Sequence, residues 1–241
     1  MLAASPFVLA DENEEPFGAA VIIIELTDND IELQIFADAF DWNRLRIFDP
    51  RERMIFDTRT RGRLNRQGGL SEMAFASEPS HYLVEEDDYD EDVEDFLRRW
   101  PEGFYEFEGQ RVRGLGPLDS EAYLSHVLAQ IPEIIEPEED EIVSPDEPLL
   151  IKWEPVTTRY IGDGPVEIIE YQVIVSQETP TRSTPWIDGD SRRSLINLPG
   201  DVTEISVPPE VLEAGATYEI EVLAIEASGN SSIGVVEFET E

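Results

Sequence analysis

Apolar and polar positions alternate along most of this chain with a period of two, the mark of strands with one buried and one wet face. The pattern is cleanest from Leu212 to Asn230, where Tyr218, Ile220, Val222 and Ala224 alternate with Glu219 and Glu221. Leu212, Gly215 and Tyr218 form a Leu-x-x-Gly-x-x-Tyr turn just ahead of that strand. A tyrosine in this position, with its hydroxyl returned to upstream backbone, is a corner device of two-sheet sandwiches. The first half carries the same period. Ala19–Leu26 (AAVIIIEL) reads as a buried strand, and Ile31–Ala39 puts Ile31, Leu33, Ile35 and Ala37 on one face. Trp42–Phe48, Met54–Thr58, Leu70–Glu78, Phe104–Val112 and Glu121–Leu128 complete a set of seven. Seven strands at about ten-residue spacing predict an all-β sandwich.

The period changes twice. Arg59–Gly69 is rich in glycine and arginine and reads as a turn region. Val93, Phe96, Leu97 and Trp100 recur at helical spacing, which predicts a short helix over 92–100. The aspartates ahead of it lie where a helix dipole favours negative charge.

The second half opens on the Pro-rich acidic stretch Ile131–Pro148, which doubles as a first strand. Leu149–Val156 follows with Trp153 as the expected core tryptophan, then Ile168–Ser176, Glu204–Val207, the Tyr218 strand and Ile233–Thr240. Lys152-Trp153-Glu154-Pro155, Glu170-Tyr171-Gln172-Val173, the Leu212–Ala224 motif and Gly229-Asn230-Ser231 together resemble a fibronectin type III domain over about 132–241. The whole chain also resembles secreted bacterial proteins in which an uncharacterised β-domain precedes such a module. That resemblance implies fold rather than activity. The expectation is therefore two tandem antiparallel immunoglobulin-like or fibronectin type III β-sandwiches, 19–130 and 131–241. Residues 1–18 would be a signal-peptide remnant, or a flexible or strand-donating tail.

Charge changes the picture most. Among 241 residues, 54 are Asp or Glu and 17 are basic, a formal −37, and Lys152 is the single lysine. A surface so far from neutrality repels itself and gathers counter-ions. Nucleic acid and anionic membranes are poor partners for it; a saline exterior, divalent cations or a basic protein surface suit it. The chain has no cysteine, so it forms neither disulfides nor thiolate metal sites. No run approaches about 18 apolar residues, so no membrane insertion is expected. Leu2–Ala10 (LAASPFVLA) carries the small-residue pattern of a signal cleavage site without a basic leader. Export to the outside or the cell surface is expected.

Catalytic chemistry finds little to work with. The two histidines are His81 and His126, the latter on the face shared by Leu124 and Leu128. Histidine–cysteine nucleophiles and zinc sites are thereby disfavoured, and neither a phosphate loop nor a Gly-x-Ser-x-Gly elbow is present. No enzyme is expected. Calcium is the site hypothesis, since hard cations take carboxylate and carbonyl oxygens. Asp28-Asn29-Asp30 sits at one turn and Asp38 and Asp41 at the next, and each reads equally as turn chemistry. Asp88–Arg99 places acids like an EF-hand loop, but Val93 and Arg99 occupy the obligatory glycine and glutamate positions. Asp188-Gly189-Asp190 is a weaker turn of the same kind.

Arginine is concentrated. Arg44, Arg46, Arg51, Arg53, Arg59, Arg61, Arg63 and Arg66 fall within 23 residues that hold three acids. Either they pair within the chain, with the Glu85–Asp95 tract as the obvious target, or they dock on an acidic protein surface, including that of a second copy. Trp186, in the Thr184-Pro185-Trp186 loop, is the candidate for stacking on a glycan, whereas Trp42 and Trp100 are expected in cores. The functional expectation is a secreted or surface-exposed, non-enzymatic adhesion or structural module, stabilised by calcium. The alternatives are a self-assembling filament subunit and a carbohydrate-binding accessory module.

Overall fold

Alternating apolar residues become strands through most of the computed structural model, which describes residues 15–78, 89–178 and 193–241 (backbone only for 89–92). The described residues fall into two compact units: 15–22, 33–78 and 93–125 in the first, and 23–32, 89–92, 126–178 and 193–241 in the second.

The first unit is organised by one long strand. After β1 (Ala19–Leu26), β2 runs unbroken from Ile31 to Phe48. Two strands were expected here, separated by a turn at Asp38–Asp41, so the described residues of this half hold six strands rather than seven. Asp41 takes φ 60°, and the register shifts between Asp38 and Trp42 and again between Trp42 and Arg44. These are bulges, which bend a strand without ending it. They also shift the buried phase, from Ile31, Leu33, Ile35, Ala37 and Ala39 to Trp42, Leu45 and Ile47. The first half of β2 pairs with β4 (Leu70–Ala76) and its second half with β3 (Met54–Arg59) and β5 (Gly103–Arg111). β6 (Pro117–Leu124) pairs with β5. It ends four residues earlier than expected.

Between β3 and β4 the expected turn region contains α1 (Gly62–Gln67), a six-residue helix with no buried side chain. Gly68 and Gly69 close it by donating to Leu64 O at 3.3 and 3.0 Å. Gly69 has φ +83°, and a Cβ there would lie 2.0 Å from Trp42 O, so only glycine lets the chain pass β2 this closely. The expected helix is α2 (Tyr89–Arg99), with Val93 and Phe96 buried and Phe96 in ring contact with Trp100.

The second unit is a sandwich with a fibronectin type III-like strand arrangement. One sheet has the order β12–β9–β7, from Glu204–Val207, Leu149–Trp153 and Ile134–Glu136. The other runs β11–β10–β13–β14, from Arg193–Pro199, Ile168–Gln177, Thr217–Glu226 and Ser231–Thr240. Its outer edge has two short parallel partners: β8 (Glu141–Val143) against Phe238–Thr240, and the end of β1 against Ser231–Ser232. β11 was not expected; its residues alternate between exposed and half-buried, and none is buried.

Trp153 meets Tyr171 edge-on at 5.2 Å and Tyr218 stacks on Phe238 at 5.3 Å in the core between these sheets. The Tyr218 hydroxyl accepts from Glu213 N at 2.7 Å and donates to Val211 O at 3.5 Å. That is the corner expected from the Leu-x-x-Gly-x-x-Tyr spacing, and Gly215 takes the left-handed φ of +69° that the turn needs. The buried Asn230 accepts from Ile24 N at 2.8 Å and donates to Val127 O at 2.9 Å, tying both segments to the β13–β14 turn.

Candidate functional site

The β2–β3 register decides which arginines meet. Arg44 lies directly opposite Arg59, and Arg46 opposite Asp57. Like charges facing each other across a ladder are costly unless an acid intervenes, and Asp57 intervenes. Arg44 grips it with Nε at 2.9 Å and Nη2 at 2.7 Å, the two-pronged geometry that suits a carboxylate. These bonds hold Asp57 below the usual carboxylate range and Arg44 above its own; the charges of Arg46 and Arg59 lower Asp57 further. Arg44, Asp57, Arg59 and Arg61 line a cleft of about 340 Å³. Three guanidinium groups face one carboxylate, so the cleft keeps a surplus of positive charge in a strongly acidic chain. It can receive carboxylate, sulfate or phosphate oxygens.

The other arginines divide by role. Arg46 pairs with Glu108 of β5 and lies over the Phe48 ring at 5.6 Å. Arg53 pairs with Asp49, whose carboxylate also accepts from the Arg51 and Arg53 backbone at 2.9 Å each. Burial pushes Asp49 up, but these hydrogen bonds outweigh it and leave the carboxyl below its ordinary value. Asp49 therefore builds the turn into β3. Arg51, Arg59, Arg61, Arg63 and Arg66 form no ion pair with a described residue. Of the acidic tract Glu85–Asp95, residues 85–88 and the side chains of 89–92 lie outside the described residues, and Asp95 pairs with Arg98; His81, Trp186 and Asp188–Asp190 also lie outside them.

The candidate calcium ligands come from the β1–β2 turn and from β2. Asp28, Asn29 and Asp30 form the β1–β2 turn in the second unit, where the Thr27 hydroxyl bonds Asp30 Oδ1 at 2.9 Å. The N–H groups of Asn29 and Asp30 donate back to Thr27 Oγ1 at 3.1 and 3.0 Å, so the turn closes on its own side chains. Asp38 and Asp41 belong to the first unit, inside β2. Among the described residues, no group of three or more His, Asp or Glu is placed to hold a metal. Trp42 is fully buried and Trp100 half-buried, as expected of core tryptophans. His126 lies half-buried beyond the end of β6.

The sequence reading missed Glu25. It is half-buried near the end of β1, accepts from Ser231 Oγ at 3.3 Å, and is pushed up to about 7. Burial is the main cause, and the charges of Glu32, Glu221 and Asp30 add to it. A lone acid inside the apolar run AAVIIIEL is the signal that could have flagged it.

No protein-family model matches the chain, and no curated protein sequence is similar to it. Solved structures similar to it include the Clostridium thermocellum CbhA fibronectin(III)-like modules, at 12% identity and TM-score 0.35, covering 93% of each chain. A two-domain fibronectin type III segment of chicken tenascin matches at 10% identity and TM-score 0.29, covering 93% of this chain and 99% of that one. The fibronectin type III domain of human collagen alpha-1(XX) matches at 19% identity and TM-score 0.32, covering 48% and 85%. Similarities this loose carry no argument, and the fibronectin type III-like assignment stands on strand order and the Tyr218 corner. No helix among the described residues is long and apolar enough to cross a membrane.

Proposed function

We propose that the chain is a non-enzymatic structural or adhesion-type module, acting outside the cell, that docks through its arginine cleft on an acidic protein surface. The observation that carries this reading is the convergence of Arg44, Arg59 and Arg61 on one cleft in a chain of net charge −37. A cation cluster kept against such a background serves recognition better than solubility, which the acidic surface supplies already. The exterior location is supported by the cleavage-like pattern at Val8-Leu9-Ala10 and by a charge suited to a saline medium. Arginine suits the task because its planar fork meets carboxylates two bonds at a time.

The test is a titration of the full chain with a short oligoglutamate peptide, followed through the arginine Nε–Hε NMR signals. At about 0.15 M salt, where charge is screened over about 8 Å, the Arg59 and Arg61 signals shift. At about 1 M the shifts are lost. Shifts spread evenly over Arg98, Arg99, Arg111 and Arg113 as well, or none at all, would contradict the reading.

A further inference from the structure

The helix α1 has no account within its own unit. Six residues are far too few for a helix to be stable by itself in water, and none of its side chains is buried. Among the described residues one side-chain hydrogen bond tethers it, Asn43 Nδ2 to Asn65 Oδ1 at 2.8 Å. It displays Leu64, 44% exposed, among Arg61, Arg63 and Arg66. An exposed apolar residue flanked in sequence by cations that pair with no described residue has the composition of an interface anchor.

The second unit carries the complement. Between β7, β8 and the start of β9 lies a groove of about 760 Å³. Ile135, Ile142 and Leu150 supply apolar lining, with Ile142 62% and Leu150 42% exposed. Glu136, Glu138 and Glu147 stand exposed along it. The groove thus offers apolar surface framed by carboxylates, where α1 offers a leucine framed by guanidinium groups.

We infer that the acidic partner is a second copy of this chain: α1 of one molecule seats in the β7–β8–β9 groove of the next. The inference rests on the docking reading above and names its partner. Charge complementarity selects this occupant, because a chain with one lysine and a formal −37 has few other surfaces that could lend it a basic, apolar-tipped segment. Donor and receptor patches are different surfaces, so the contact is head-to-tail and each molecule can both give and receive. Assembly then responds to salt in two directions. At about 0.01 M salt, charges act over about 30 Å and the overall repulsion keeps copies apart. At about 0.15 M the long-range repulsion is screened while the contact pairs survive, and at about 1 M the pairs weaken too.

The test uses two variants of the full chain. Leu64→Asp removes the apolar tip of the donor, and Glu136→Lys with Glu147→Lys reverses the groove; all three positions are exposed, and circular dichroism melts confirm folding. In sedimentation velocity at about 0.15 M salt, each variant alone is monomeric, and an equimolar mixture forms pairs and nothing larger, because each pair has one intact contact and two blocked ends. The groove variant carries less negative charge, so nonspecific repulsion cannot explain its loss of assembly. Assembly unaffected by either change, or a mixture that stays monomeric, would overturn the inference. So would a wild-type chain monomeric at all three salt concentrations, while the oligoglutamate titration would still decide the cleft separately.

Discussion

Tyr218 shows how much one hydroxyl can hold. It is fully buried, and its oxygen both accepts from Glu213 and donates to Val211, closing the turn ahead of β13. Tyr218→Phe takes the hydroxyl acceptor away from the Glu213 N–H, a loss that costs about 1–3 kcal/mol. Urea unfolding should show it with an unchanged slope; a shift under about 0.5 kcal/mol would mean that water replaces the hydroxyl. Glu25 works in the opposite sense. Its folded-state pKa of about 7 lies above the ordinary carboxylate value, so the folded chain holds that proton more tightly than the unfolded one. The contribution is fully present below about pH 4.3 and is lost as pH rises to about 7. Glu25→Gln should therefore raise stability at pH 8 by about 2 kcal/mol, a figure already reduced for solvent screening, and change little at pH 4.5. An equal gain at both values would assign the effect to packing instead.

At the scale of elements, β13 and β14 carry a cost that can be removed. Glu219 lies directly opposite Glu237, and burial followed by the charges of Glu221, Glu178 and Glu237 raises its pKa. Glu237→Lys turns a repulsive cross-strand pair into an attractive one and should stabilise by about 0.2–1 kcal/mol, with the gain shrinking as salt is added. A salt-independent change would point to packing. These strands were legible in the sequence because strict alternation leaves no other periodicity to fit. The Asp38–Asp41 segment misled for a physical reason. Bulges at Asp41 and beside Trp42 shift the apolar phase, and a phase shift flanked by acids reads as a turn. Helix α1 was invisible because it buries nothing and so has no apolar stripe. The arginine band was visible as a count, but the convergence of Arg44, Arg59 and Arg61 depends on the β2–β3 register, which composition does not specify.

For the whole molecule, charge is the governing quantity. Asp30 already accepts from Thr27, and among the described residues no group of three or more His, Asp or Glu is placed to hold a metal, so cations should act as general counter-ions. Calcium and magnesium at matched ionic strength should raise the melting temperature equally, and chelator should lower it no further than removing that ionic strength does. A rise confined to calcium would establish a dedicated site at the acidic turns. The central claim, that the cleft arginines carry the docking to a second copy, is tested most directly by comparing Arg59→Glu/Arg61→Glu with the wild type in sedimentation velocity at about 0.15 M salt. Each substitution removes one positive charge and adds one negative, moving the net charge from −37 to −41, and Arg98→Glu/Arg99→Glu on α2 makes the same change away from the cleft. Association present in the wild type and the α2 variant but absent in the cleft variant is the predicted result. Equal behaviour of the two variants would contradict it.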